Sequence, residues 1–140
     1  MSKPIAVLSL ALLAAGCTSY AEADQPERRT LQTARAEARL DQELRGKTAG
    51  PPQSCITRFE ADRMDTVGDR TIMFRASGSL VYLNQPAGGC PMEGGSRRLE
   101  RRSIGSNLCR GEQLQVIDNQ TGAYFGTCVL GDFIPYRRRG

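Results

Sequence analysis

Four cysteines constrain this chain more than any other feature. Cys55, Cys90, Cys109 and Cys128 lie in a 140-residue chain, and the nearest two are nineteen residues apart. No Cys-x-x-Cys is formed, so neither a thioredoxin-like redox pair nor a zinc knuckle fits. An even number of widely spaced cysteines in a short exported domain instead predicts two structural disulfides around a small core. Four cysteines allow three pairings, and spacing alone does not select one.

A fifth cysteine, Cys17, has a different setting. Residues 1–17 read MSKPIAVLSLALLAAGC. Lys3 supplies a positive start, and an apolar stretch from Ile5 to Leu13 follows, broken by Ser9. Ala14, Ala15 and Gly16 then precede the thiol. The apolar run is shorter than the ~20 residues that span a bilayer, and its layout is that of a secretory signal. These residues resemble the lipobox of bacterial lipoproteins, with Ala14 where Leu is commonest. The resemblance implies a cut before Cys17, a diacylglycerol on its sulfur, and membrane attachment through that lipid. Thr18, in place of Asp, implies the outer membrane, with the domain facing the periplasm.

Charge narrows the function. Lys and Arg total 19 against 15 Asp and Glu, a net charge of +4. Residues 18–51 hold six basic and six acidic side chains, and residues 52–136 hold nine Arg against nine Asp and Glu. The excess of the mature chain therefore equals Arg137, Arg138 and Arg139. A nucleic-acid domain carries its charge on a folded face, so a nucleic-acid partner is not expected. His is absent, which removes the commonest general base and metal ligand. No catalytic residue, cofactor or metal ion is expected.

Residues 18–53 are polar. Between 30 and 45 there is neither Pro nor Gly, and Ala36, Leu40 and Leu44 recur at helical spacing. Gly46 and Gly50-Pro51-Pro52 end the pattern. The expected organisation is a signal peptide (1–16), a lipidated N-terminus with a flexible, partly helical linker (17–53), a four-cysteine β domain (54–136) and a basic tail (137–140). A frayed tail would carry little structural weight.

Inside the domain, RTIMFRA at 70–76 and LVYLN at 80–84 alternate around Ser77-Gly78-Ser79 and predict a β-hairpin. QLQVID at 113–118 and AYFGTCV at 123–129, joined by Asn119-Gln120-Thr121-Gly122, predict a second. Residues 97–104 carry four Arg and suggest an exposed edge strand. A short strand at 63–67 is also expected. The predicted fold is mainly β, a small antiparallel barrel or sandwich of five to six strands. Because a Gly- and Arg-rich excursion separates Cys90 from Cys109, the expected pairing is Cys90–Cys109 with Cys55–Cys128. The other two pairings stay open.

The order GKTAGPP-x-x-CI, DRTIMF, G-x-L-VYLN, CP, LC and C-x-LG-x-F-x-P resembles a group of small proteobacterial envelope proteins of unknown function. The resemblance covers residues 46–136. It implies the location and the disulfides, and no activity.

Three sets of side chains are candidates for a site. Arg97, Arg98, Arg101 and Arg102 could contact phosphates or cell-wall carboxylates, since guanidinium forks match both, or simply solvate an edge strand. Phe74, Tyr82, Tyr124, Phe125, Phe133 and Tyr136 are mostly expected in the core, with one of the adjacent pair Tyr124 and Phe125 exposed. Glu60, Asp62, Asp65 and Asp69 do not fit an EF-hand and read as loop caps. The expected function is a membrane-tethered, non-enzymatic envelope module that binds a protein or wall component. A cell-wall-active enzyme or inhibitor-type effector is the alternative.

Overall fold

The computed structural model describes residues 25–92, 96–102 and 105–140. The signal segment and Cys17 lie outside them. One helix, α1 (Gln25–Leu44), precedes ten strands: β1 (Lys47–Ala49), β2 (Cys55–Thr57), β3 (Met64–Val67), β4 (Thr71–Arg75), β5 (Leu80–Asn84), β6 (Arg97–Arg101), β7 (Asn107–Cys109), β8 (Gln113–Asp118), β9 (Tyr124–Val129) and β10 (Phe133–Arg138). They form a five-stranded sheet in the order β1-β10-β5-β4-β3, a three-stranded sheet β6-β8-β9 and a two-stranded sheet β2-β7. All strand pairs are antiparallel. The arrangement is mainly β and sandwich-like, without a closed barrel.

Both expected hairpins form, and β6 lies at a sheet edge as its arginines suggested. Four strands, β1, β2, β7 and β10, carry no clean alternation and were not expected. Three of them are only three residues long, too short for a period of two to register. β10 contains Pro135, which argues against a strand inside a sheet.

The central strands are buried on both faces, which explains their nearly continuous apolar runs. On one face Ile72, Phe74, Tyr82 and Phe133 meet Ile56, Leu108, Leu114, Val116 and Leu130 from the smaller sheets. Phe74 and Phe133 stack edge to face at 5.5 Å. On the other face Val67, Met73, Val81 and Leu83 receive Ala36, Leu40 and Leu44 of α1. The segment read as a spacer thus holds a twenty-residue helix whose apolar stripe packs on the domain. A stripe this narrow is marginal alone and gains its stability from the sheet it covers. Ion pairs fix the same docking. The Arg75 guanidinium donates to Glu43 Oε1 at 2.7 and 3.0 Å and to Asp65 Oδ2 at 3.3 Å, and Arg39 pairs with Asp65.

Arg75, chiefly by hydrogen bonding, holds the Glu43 carboxyl below its ordinary value of 4.5 against the opposing effect of burial. A depressed carboxylate stabilises the fold above its unfolded value and loses that contribution as pH falls through the folded one. The pair is partly exposed, so the effect is below about 1 kcal/mol. Between about pH 6 and about pH 3, wild-type stability should fall more than that of Glu43→Gln. Identical losses in paired denaturation curves would show that the ion pair contributes nothing.

Two further expectations are corrected. The basic tail is not frayed throughout: Arg137 and Arg138 continue β10, opposite Thr48 and Lys47 of β1, and the Arg138 N–H donates to Ser79 O at 2.9 Å. Cys55 bonds to Cys109 and Cys90 to Cys128, not Cys90 to Cys109 and Cys55 to Cys128. Cys55 and Cys109 face each other in the β2–β7 register, 4.0 Å apart at Cα. Their pairing depends on two strands that alternation did not reveal. The second bond joins the segment after β5 to β9, and so fastens the large sheet to the three-stranded one.

Candidate functional site

The second disulfide forms one side of an open cleft of about 550 Å³. Asp69 and Arg70 of the β3–β4 turn, residues 87–91, Arg97 of β6, and Phe125 and Thr127 of β9 line it. Close backbone approach builds its wall. Gly89 has φ of 76°, and an added Cβ would lie 2.7 Å from Asp69 O. A side chain there would therefore be strained in conformation and in space. The Cys90 N–H then donates to the same carbonyl at 2.6 Å. At Gly126 an added Cβ would meet Pro91 Cγ at 2.7 Å, so the missing side chain lets residues 90–91 lie directly on β9.

Arg97 closes one side of the cleft. Its guanidinium carbon stands 3.3 Å from the centre of the Phe125 ring, a cation–π contact. Nη1 donates to Pro91 O at 2.6 Å, while Nε is buried without a hydrogen-bond partner. With Arg70 also lining the cleft, the local arrangement offers positive charge beside an aromatic face and one carboxylate, Asp69. It can hold an anionic or polar group.

The four candidate arginines do not converge. Alternation along β6 sends Arg97 and Arg101 to one face and Arg98 to the other. Arg98 binds Glu100 at 2.6 Å and Asn119 Oδ1 at 3.1 Å. Arg101 donates to Gly105 O at 3.0 Å and to Asn107 O. Arg102 is exposed beyond the strand. The chain's own acceptors thus engage three of the four.

The carboxylate cluster is likewise divided. Glu60 Oε2 accepts from the Thr57 N–H at 2.8 Å and its hydroxyl at 2.9 Å, and Oε1 accepts from Tyr82 Oη at 2.8 Å. Burial opposes ionisation of Glu60, but these donors together outweigh it and hold the carboxyl below 4.5. Burial, followed by the Glu60 carboxylate, raises the Tyr82 phenol above 10.0. Asp65 serves the helix clamp, and Asp69 lines the cleft. Among the described residues, no group of three or more His, Cys, Asp or Glu could hold a metal ion.

Phe74, Tyr82 and Phe133 are fully buried, as expected. Tyr124 and Phe125 are both exposed, at 60 and 52 %, where one was expected inside. The register shifts between Val116 and Ile117, leaving Phe125 as an extra residue of β9. A bulge breaks the alternation that would have buried one of two neighbours. The Arg97–Phe125 contact was missed for the same reason. Only the paired glycines Gly88-Gly89 before Cys90 hinted at close backbone approach.

No family model, curated protein or solved structure matches this chain.

Proposed function

We propose that the protein is an envelope lipoprotein, anchored by lipid on Cys17 in the outer membrane and facing the periplasm. Its β domain acts as a non-enzymatic binding or structural module for an envelope protein or wall component, like the small proteobacterial envelope proteins it resembles. The observation that carries this reading is the pair of disulfides, Cys55–Cys109 and Cys90–Cys128. Such bonds persist on the oxidising side of a membrane, and the apolar leader with its terminal thiol supplies a route there. No helix among the described residues is long and apolar enough to cross a membrane. A wall hydrolase is the weaker reading. Glycoside hydrolysis uses two carboxylates about 5–10 Å apart, whereas Glu60 and Asp65 are committed to internal partners and Asp69 sits beside arginines.

Labelled palmitate should enter the wild-type protein in cells and not Cys17→Ser, whose chain should leave the membrane fraction. A soluble, unlipidated mature form in wild-type cells would contradict the anchor.

A further inference from the structure

We infer that the end of the domain remote from the start of α1 docks onto the anionic wall polymer, an amino-sugar mesh bearing peptide carboxylates. The inference rests on the envelope reading above, and three observations support it.

The first is a concentration of charge that the sequence disperses. Arg45 follows the C-terminus of α1, Arg58 and Arg63 flank the loop between β2 and β3, and Arg137 and Arg138 end β10. All five are exposed. The fold brings them to one end. The Arg75 N–H donates to Arg63 O at 2.9 Å, and the Arg138 N–H reaches Ser79 in the β4–β5 turn. Arg137 is close enough to Glu60 to lower its pKa. Lys47 stands directly opposite Arg138 in the β1–β10 register. Its ammonium donates to Glu43 O at the end of α1, so it adds positive charge to this end while holding a partner of its own. Of the nearby carboxylates, Glu43 is bound to Arg75 and Glu60 is turned onto Thr57 and Tyr82, which leaves the exposed Asp62 of the same loop against five exposed arginines.

The second is Phe59, 88 % exposed at the tip of the loop between Arg58 and Arg63. It is held outward because the Thr57–Glu60 hydrogen bonds close the turn beneath it. An aromatic face among cations suits a polymer that offers sugar rings and carboxylates together.

The third observation separates the wall from the bilayer. In α1, Ala36 lies by Gly68 at the β3–β4 turn, while Glu43 reaches Arg75 at the other end of β4. The start of the helix therefore points away from the basic end. Twenty helical residues span about 30 Å, and the eight peptide units from Cys17 to Gln25 reach at most about 29 Å. An anchored molecule could set its basic end on its own membrane only with that leader drawn out to full extension. Nucleic acid, which would also suit such charge, is disfavoured by the oxidising compartment the disulfides require.

The test uses the full mature chain as Cys17→Ser, so that sedimentation with purified wall sacculi does not depend on the lipid. Failure here would leave the palmitate result intact, and the reverse also holds. Binding should be salt-sensitive. The double variant Arg58→Glu, Arg63→Glu should bind about tenfold more weakly, and Phe59→Ala roughly fivefold, with unchanged thermal unfolding. Phe59→Trp places the chain's sole Trp at the tip, and its emission should shift on adding sacculi. It should not shift on adding neutral phosphatidylcholine vesicles, which offer an apolar phase without net anionic charge. Absence of sacculus binding, equal binding by all variants, or a Trp response to vesicles alone would overturn the proposal.

Discussion

Removing the Cys90–Cys128 bond, as Cys90→Ala with Cys128→Ala, should lower the unfolding free energy by about 4 kcal/mol. The bond closes a loop with a sequence separation of 38, and loop-closure entropy alone gives that magnitude. Position adds to it. Cys90 and Cys128 are 5 and 0 % exposed and belong to the main core cluster. Their link also joins the large sheet to the three-stranded one, and Pro91 lies on Gly126 just beside it. Small domains have about 5 kcal/mol or little more to lose, so the variant should be largely unfolded at body temperature. Urea denaturation followed by circular dichroism measures the change. A loss under about 1 kcal/mol would mean the sheets hold together without the bond.

Asn84→Leu should cost about 2 to 4 kcal/mol despite its similar size. Asn84 is the fully buried polar residue of the core. Its Nδ2 donates to Gly131 O at 2.8 Å, and its Oδ1 accepts from the Gly131 N–H at 3.0 Å. The amide thus acts as a piece of backbone, pairing the end of β5 with the connection between β9 and β10. Leucine would leave both backbone groups of the half-buried Gly131 without their amide partner, each at the lower part of the range of about 1 to 3 kcal/mol. Gly131 cannot move away easily, since even a Cβ there would lie 2.7 Å from Gln85 O. Equal thermal and urea midpoints for wild type and variant would show that water replaces the amide.

These two sites also mark what the sequence could and could not convey. The hairpins β4–β5 and β8–β9 were legible because each strand is at least five residues long, rich in β-branched, aliphatic or aromatic residues, and joined by turn residues. The helix was legible from Ala36, Leu40 and Leu44, but its destination was not: a narrow stripe looks the same on a spacer and on a docked helix. The pairing of the cysteines was hidden for a related reason. It follows from β2 and β7, whose three residues each carry no period. Asn84 read as the last, polar residue of a strand, and its role depends on a glycine 47 positions away. Of the candidate site, Arg97 was identified, but its partner Phe125 depends on a bulge. The basic end was invisible because its arginines are scattered along the chain and balanced locally by acids, two of which, Glu43 and Glu60, the fold commits to internal partners.

Two disulfides staple the domain in one specific way, and peptide mapping of the purified, unreduced protein reads out that pattern. After free thiols are blocked, trypsin separates the four cysteines into fragments 48–58, 76–97, 103–110 and 111–137. Fragment 48–58 should be linked to 103–110 and fragment 76–97 to 111–137. A link from 48–58 to 76–97 or to 111–137, or blocked thiols on these fragments, would contradict that pattern.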